Sequence, residues 1–532
     1  MMSRILFFIL VIMSTGAYSQ APAPGNMHFH LLGTRSWIKV SWNHSGQQVK
    51  GYKVFYAEND VRPAKAVAGL KSTAGEYYIK NVKPGITYRV WLEVEGFGEE
   101  RLVIKDTVRT VKEWVLEPGD AEELKRNPSS TAVPQGMEIF WQDEFNDSLL
   151  NRNKWSTNYY SSIDHLRGVF EEDMRNDRLP QPAYELNGSY IHLYVNDSLP
   201  KEAYDKKSGK KISSIQTYDW RTDENHLDNS RGGYFEVRVK RWSTGKPGGL
   251  NTAYWFDSPG PDLKYYLEQG TTLNGVKGIR PHGQVFEIDV FEYLDAQFVL
   301  HGNVDKTGKF IHNLNTHIAK GYRHIGQWVT HGILWTPTSI KHYINGKLIG
   351  EYSDKHQIYS PNHFMNVFLG SYGAGGSVHM EVDYIRGYQW PLKDGNELPN
   401  PGFEYSQQMM PWEGNGKLVS KDVKSGRSAL LLQPGDSIEQ YVYLENARDY
   451  RLQYWAKGSG TLSMELNNVE MVTGKLSGID AGDATINKKY QQQIIDFKTG
   501  AEYDHHKKTV RILFKNNSKD DIVLDDITIM QR

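Results

Sequence analysis

The 532-residue chain contains no cysteine, which excludes disulfides, thiolate metal sites and a lipid-modified amino-terminal cysteine. It has no excess of either charge. The 62 Lys and Arg face 63 Asp and Glu, a formal net charge of -1 with a pI near 7.0, and this speaks against a basic nucleic-acid surface and against an acidic tail. Long apolar runs are missing too. The run Ile5 to Met13 is too short to span a bilayer, and nothing later approaches that length. With Arg4 before it and Ala17-Tyr18-Ser19 after it, it reads as a cleaved secretory signal peptide over residues 1–19. The expected location is secreted or periplasmic, and export without disulfides fits a bacterial protein. No nucleic-acid partner and no transmembrane segment are expected, and the molecule is expected to be a monomer.

Aromatic residues, by contrast, are abundant, with 14 Trp and 32 Tyr. Their rings can stack on the apolar faces of pyranose sugars and can equally fill all-β cores. Period-two alternation supports the β reading. It is visible in Ile38-Lys39-Val40-Ser41-Trp42, in Tyr52-Lys53-Val54-Phe55-Tyr56 and in Tyr88-Arg89-Val90-Trp91-Leu92-Glu93-Val94. The length allows three or four domains.

The most unusual stretch is Val285-Phe286-Glu287-Ile288-Asp289-Val290-Phe291-Glu292, three carboxylates in an apolar, strand-forming run. On a strand Glu287 and Asp289 share one face and Phe286, Ile288 and Val290 the other. Glu292 then has the wrong parity and would point into the apolar layer, a costly place for a carboxylate. A one-residue β-bulge between Asp289 and Glu292 restores it to the polar face and sends Phe291 to the core, so a bulge is expected there. Three acids on one face suggest glycosidic bond cleavage, in which one carboxylate attacks the sugar and another delivers a proton to the leaving oxygen. Asp289, between them, could keep their pKa values apart. A retaining enzyme needs its two carboxyls about 5–5.5 Å apart, whereas five intervals of flat strand span roughly 16 Å; the strand must therefore bend. A surface strand with merely solvated acids is the alternative that the hexapeptide alone leaves open.

Together with its flanks, the hexapeptide resembles the E-[ILV]-D-x-x-E signature of glycoside hydrolase family 16, and the resemblance spans about Met137 to Trp390. Phe140-Trp141-Gln142-Asp143-Glu144-Phe145 followed by Asn153-Lys154-Trp155 is similar to the family's opening strand. Gly233 to Lys240 resembles its G-Y-F-E-x-R strand, His331 to Pro337 with Tyr343 to Lys347 its H-x-x-x-W-x-P hairpin, and Val382 to Arg386 its closing strand. The resemblance implies a concanavalin-A-like β-jelly-roll with a concave cleft. It also implies Glu287 as nucleophile, Glu292 as general acid/base and Asp289 as the assisting carboxylate, with no cofactor for catalysis. Trp255, Tyr254, His301, Arg280 and Trp328 are the expected substrate-binding residues, while Trp335 is expected to pack in the core.

The family's β-1,3-glucanases often read W-P-A-x-W where this chain has Asn251-Thr252-Ala253-Tyr254-Trp255, so a first-subsite tryptophan is missing. The long segment from Asp257 to Gln284 carries Lys264, Tyr265, Tyr266, Lys277, Arg280 and His282, bases that could meet sulfate or other anionic groups. Both features favour an endo-acting, retaining β-glycanase for a galactan, sulfated or not, such as agarose, porphyran or carrageenan. A β-1,3- or mixed-linkage endo-glucanase is the alternative. A non-catalytic polysaccharide-binding surface protein and transglycosylation on the same intermediate also stay open.

The segment at 22–115 resembles a fibronectin type III sandwich, with Trp42 as core tryptophan and Tyr88 as corner tyrosine; a spacer role is expected. Residues 116–136, which include Pro118-Gly119 and Asn127-Pro128-Ser129-Ser130, read as a linker, and 137–392 as the catalytic domain. After a break at Pro391 to Pro399, residues 398–532 resemble a carbohydrate-binding jelly-roll that opens Asn400-Pro401-Gly402-Phe403-Glu404 and closes Leu524-Asp525-Asp526-Ile527. By that resemblance Glu404 with Asp525 or Asp526 would hold a structural Ca²⁺, an ion that takes hard oxygen ligands. Trp412, Tyr441 and Tyr443 are the sugar-binding candidates.

Overall fold

The computed structural model describes residues 29–33, 37–42, 49–80, 82–83, 86–96, 102–110, 128, 130–157, 159, 161, 172, 182–199, 211–220, 224–245, 250–258, 271–273, 276–279, 285, 287–294, 297–304, 310–318, 325–353, 364–405, 409–469, 476–500 and 507–532. The expected signal peptide lies outside the described residues. The chain is all-β, in two compact units, Met1–Val115 and Leu116–Arg532.

The first unit packs a three-stranded sheet (Phe29–Gly33, Trp37–Trp42, Glu76–Lys80) with a four-stranded one (Gly51–Ala57, Ala68–Lys71, Thr87–Glu95, Leu102–Arg109). The alternation in the sequence becomes the core: Ile38, Val40, Trp42, Tyr52, Val54, Tyr88, Val90 and Leu92 are all buried, and the rings of Trp42 and Tyr52 lie 5.0 Å apart. Tyr88 is a tyrosine corner, its hydroxyl accepting the Lys83 N–H at 2.9 Å.

The second unit begins with a jelly-roll-like sandwich. One sheet has six strands in the order Lys211–Gln216, Asn366–Gly373, Leu250–Asp257, Glu287–Glu292, Gln297–Val304, Phe310–Ile318. The other has eight and is centred on Gly233–Gly245 and Gly376–Gln389. Between them, Phe235, Val237 and Val239 of the eight-stranded sheet face Tyr254, Phe256, Ile288 and Phe291 of the six-stranded one, all 0–1% exposed. Phe235 meets Phe256 edge-on at 5.2 Å, and Phe291 lies 4.7 Å from the His331 ring.

Several residues of the flanking motifs serve this frame. Arg386, fully buried, makes a bidentate pair with Glu144 at 2.7 and 2.8 Å, and Asp143 accepts the indole N–H of Trp155 at 2.7 Å. Glu236 is also fully buried. Its carboxylate accepts bonds from the Ser130 N–H at 3.2 Å, the Tyr234 hydroxyl at 3.0 Å and the Tyr384 hydroxyl at 2.8 Å, so the end of the expected linker, from Ser130, is pinned to the sandwich.

Residues from Asn400 onward form two five-stranded sheets around one core that includes Phe403, Trp412, Tyr450, Leu452, Phe514 and Ile527. This module abuts the sandwich. Thr338 donates its hydroxyl to Glu413 at 2.5 Å, and Gly136, at φ 81°, lies where an added Cβ would come within 2.5 Å of the Tyr405 ring.

Candidate active site

The acidic strand Glu287–Glu292 carries the expected bulge. Against the next strand Asp289 pairs with Val299 but Glu292 pairs with Gln297, so three steps on one side match two on the other. The other neighbour records the same slip, with Trp255 opposite Asp289 and Tyr254 opposite Phe291. The extra residue resets parity as the hydrophobic pattern requires. Phe291 is buried in the core beneath the Arg241 guanidinium at 4.1 Å, and Glu292 turns to the face that holds Glu287 and Asp289. Just beyond it Tyr293 takes a left-handed φ of 56°. Its carbonyl is held by Arg241 at 2.6 Å and by Thr252 at 2.8 Å, which fixes the turn that follows the acid.

Strand register shows what shares that face. From Leu250–Asp257 come Asn251, Ala253, Trp255 and Asp257; from Asn366–Gly373, Phe368 and Tyr372; from Lys211–Gln216, Ser214; from Gln297–Val304, His301. Trp255 stacks on Phe368 at 4.0 Å and 10°, and its indole N–H reaches the Tyr372 hydroxyl at 3.5 Å. That hydroxyl also meets Ser214 at 3.0 Å. Side-chain ligand atoms of Glu287, Asp289 and His301 lie within 4.8 Å of one another, with His301 Nε2 3.5 Å from Asp289 Oδ2. The same spacing would suit a divalent cation.

The acids are withdrawn from water, Glu287 being 9% and Asp289 2% exposed. Burial is the main reason that Glu287 is held well above the usual carboxylate range, reinforced by the charges of Asp289, Asp257 and Glu292 and by the hydrogen bond to Asp289. Glu292 is pushed up from 4.5 to about 7, first by burial and then by Asp289, while a hydrogen bond from Asn251 Nδ2 to its Oε1, at 3.4 Å, pulls the other way. Glu287 and Glu292 are thus both held above the usual carboxylate range.

Asn251, Asp257 and Tyr372 were not among the expected site residues, although strand parity counted from Trp255 points to the first two. Two expectations are corrected. Tyr254 is one step from Trp255 and so faces the core, fully buried between Phe256 and Phe291. Trp328 belongs to the eight-stranded sheet, where it packs with Arg238 and Tyr190, not to the sheet that bears the acids. Trp335 is fully buried in the core. Arg280, Lys264, Tyr265, Tyr266 and His282 lie outside the described residues, as does the side chain of Lys277.

In the C-terminal module, Trp412 is also corrected as a sugar-binding candidate. It is a core residue, 2% exposed, whose indole N–H is spent on the Asn400 carbonyl at 3.2 Å. Glu404, Asp525 and Asp526 converge on one loop. Glu404 accepts the Arg427 and Ser428 N–H groups at 2.8 and 3.0 Å, Asp525 those of Lys424 and Ser425 at 2.7 and 3.2 Å, and Asp526 the Ser425 hydroxyl at 2.6 Å. These oxygens are thus engaged by loop N–H and hydroxyl donors, and among the described residues the side-chain group close enough to share one ion is Glu287, Asp289 and His301 rather than this trio.

Fold and site together define an all-β, multi-module protein with a carboxylate cluster on one sheet face. Residues 22–107 match the model of the fibronectin type III domain, and this segment is a fibronectin type III domain. No curated protein matches the sequence. Among solved structures the chain is similar to a GlcNAcα1-4Gal-releasing endo-β-galactosidase from Clostridium perfringens, at 17% identity over 58% of this chain and 73% of that one, with a TM-score of 0.36. It is also similar to a non-specific endo-β-1,3(4)-glucanase of family GH16, at 18% identity over 49% of this chain and 95% of that one (TM-score 0.34). A third similarity is to a family 16 carbohydrate-binding module, at 18% identity over 25% of this chain and 99% of that one (TM-score 0.22).

Proposed function

We propose that the chain is a secreted, endo-acting, retaining glycoside hydrolase of family 16. The observation that carries this reading is the bulge between Asp289 and Glu292, because a surface-facing acidic strand has no need of an extra residue to gather a third carboxylate onto a buried polar face. Glu287, as the carboxylate, attacks the anomeric carbon, and the glycosyl–enzyme bond forms as the bond to the departing glycosidic oxygen breaks. Glu292, pushed up to about 7, gives its proton to the departing glycosidic oxygen. It then takes one from the water that releases the sugar. His301, beside Asp289, orients that carboxyl, and Trp255 lines the sugar path.

The proposed substrate is a β-galactan, sulfated or not, since Asn251 stands where the glucan-cleaving relatives are expected to carry tryptophan. Release of reducing ends from agarose, porphyran or carrageenan, but not from laminarin or lichenan, supports this, and the reverse pattern makes the enzyme an endo-glucanase. Retention is read by NMR from the first-formed anomer. Glu287→Gln and Glu292→Gln are expected to abolish hydrolysis with the far-UV spectrum unchanged; full activity in either sinks the reading, and no hydrolysis of any polysaccharide by the parent chain favours a binding protein.

A further inference from the structure

Tyr293 opens the turn between Glu287–Glu292 and Gln297–Val304, directly after the proposed acid. Its φ of 56° lies in the left-handed region, which glycine or asparagine enters readily and a bulky aromatic residue rarely does. Side chains of the neighbouring strands hold it there at both of its backbone polar groups. Asn251 Oδ1 accepts its N–H, and its carbonyl accepts bonds from Arg241 at 2.6 Å and Thr252 at 2.8 Å. A strained residue clamped this firmly beside a reaction centre points to a use for its side chain. That side chain fills no core, since Tyr293 is 48% exposed. The charge of Glu292 is the first cause that raises the pKa of its phenol, followed by burial and by the charge of Asp289, so the hydroxyl stands in the field of both acids, on the acidic side of the sheet. Glu292 must also reach the oxygen that departs, which puts the sugar bearing that oxygen next to it. An exposed ring one residue beyond the acid is placed to meet the apolar face of that sugar.

We infer that Tyr293 is the platform of the leaving-group subsite, its ring stacking on the sugar that departs with the proton from Glu292. The inference rests on the hydrolase reading and adds a contact for the departing part of the substrate. Its test compares two substrates on the full-length parent, Tyr293→Phe, Tyr293→Ala and Tyr293→Gly. One is the polysaccharide that the parent cleaves; the other is the β-glycosyl fluoride of an oligosaccharide that it releases, whose fluoride leaves without occupying a sugar subsite. In Tyr293→Ala and Tyr293→Gly the ratio of kcat/KM on the polysaccharide to kcat/KM on the fluoride should fall about tenfold, the order of one aromatic contact. Tyr293→Phe keeps the ring and should keep the parent's ratio. Glycine accepts the left-handed φ, so equal losses in the alanine and glycine variants assign the effect to the ring and not to the backbone. An unchanged ratio in both ringless variants, a fall in Tyr293→Phe as large as in Tyr293→Ala, or a fall in Tyr293→Ala that Tyr293→Gly restores overturns the subsite and leaves the hydrolase standing. A parent chain that cleaves no polysaccharide overturns both.

Discussion

Asn251 touches the proposed acid, and its amide stabilises the ionised form of Glu292. Losing that donor in Asn251→Ala should therefore move the alkaline limb of kcat/KM upward from about 7. The same acid links pH to stability. Between 4.5 and about 7 the folded chain keeps a proton that the unfolded chain has released, so stability contributed by the protonated group falls as pH rises through that window. Glu292→Gln should flatten that part of a melting-temperature profile; an unchanged slope would remove Glu292 as its source. The three acids were readable because carboxylates are conspicuous in an apolar run, whereas Asn251 and Asp257 look ordinary until strand parity is counted from Trp255. Parity also exposes the error at Tyr254, since neighbours on a strand cannot share a face.

The acidic strand owes its arrangement to one surplus residue. Deleting Val290 leaves Glu287-Ile288-Asp289-Phe291-Glu292, whose strict alternation keeps the three acids on one face and Phe291 in the core without a bulge, so the melting temperature should be retained; a large fall would show that the bulge itself is needed. The eight-stranded sheet depends on a different device. Breaking the Glu144–Arg386 pair with Glu144→Gln leaves a buried guanidinium without its counter-charge, and unfolding in denaturant should show a loss of about 3–5 kcal/mol. The bulge could be foreseen because only one backbone irregularity reconciles Glu292 with the apolar positions around it. The burial of Glu236 could not. Its partners Ser130 and Tyr384 lie 106 and 148 residues away in sequence, and strand alternation alone assigns it to the solvent side with Arg238 and Lys240.

Module order was legible because each module has its own alternation and corner residues, down to the Tyr88 corner. The closeness of the sandwich to the C-terminal module was not, because it depends on small surfaces such as Gly136 and Tyr405. The segment joining those two parts is short and largely tucked in. Only Lys393-Asp394-Gly395 is exposed, while Asn396 accepts the Leu398 and Ile529 N–H groups at 3.1 and 2.8 Å. Trypsin nicking at Lys393 should therefore yield two fragments on a denaturing gel that still elute together from a sizing column. Co-elution would show that the covalent link there is dispensable for cohesion, and would make fragments expressed separately candidates for reassembly in trans.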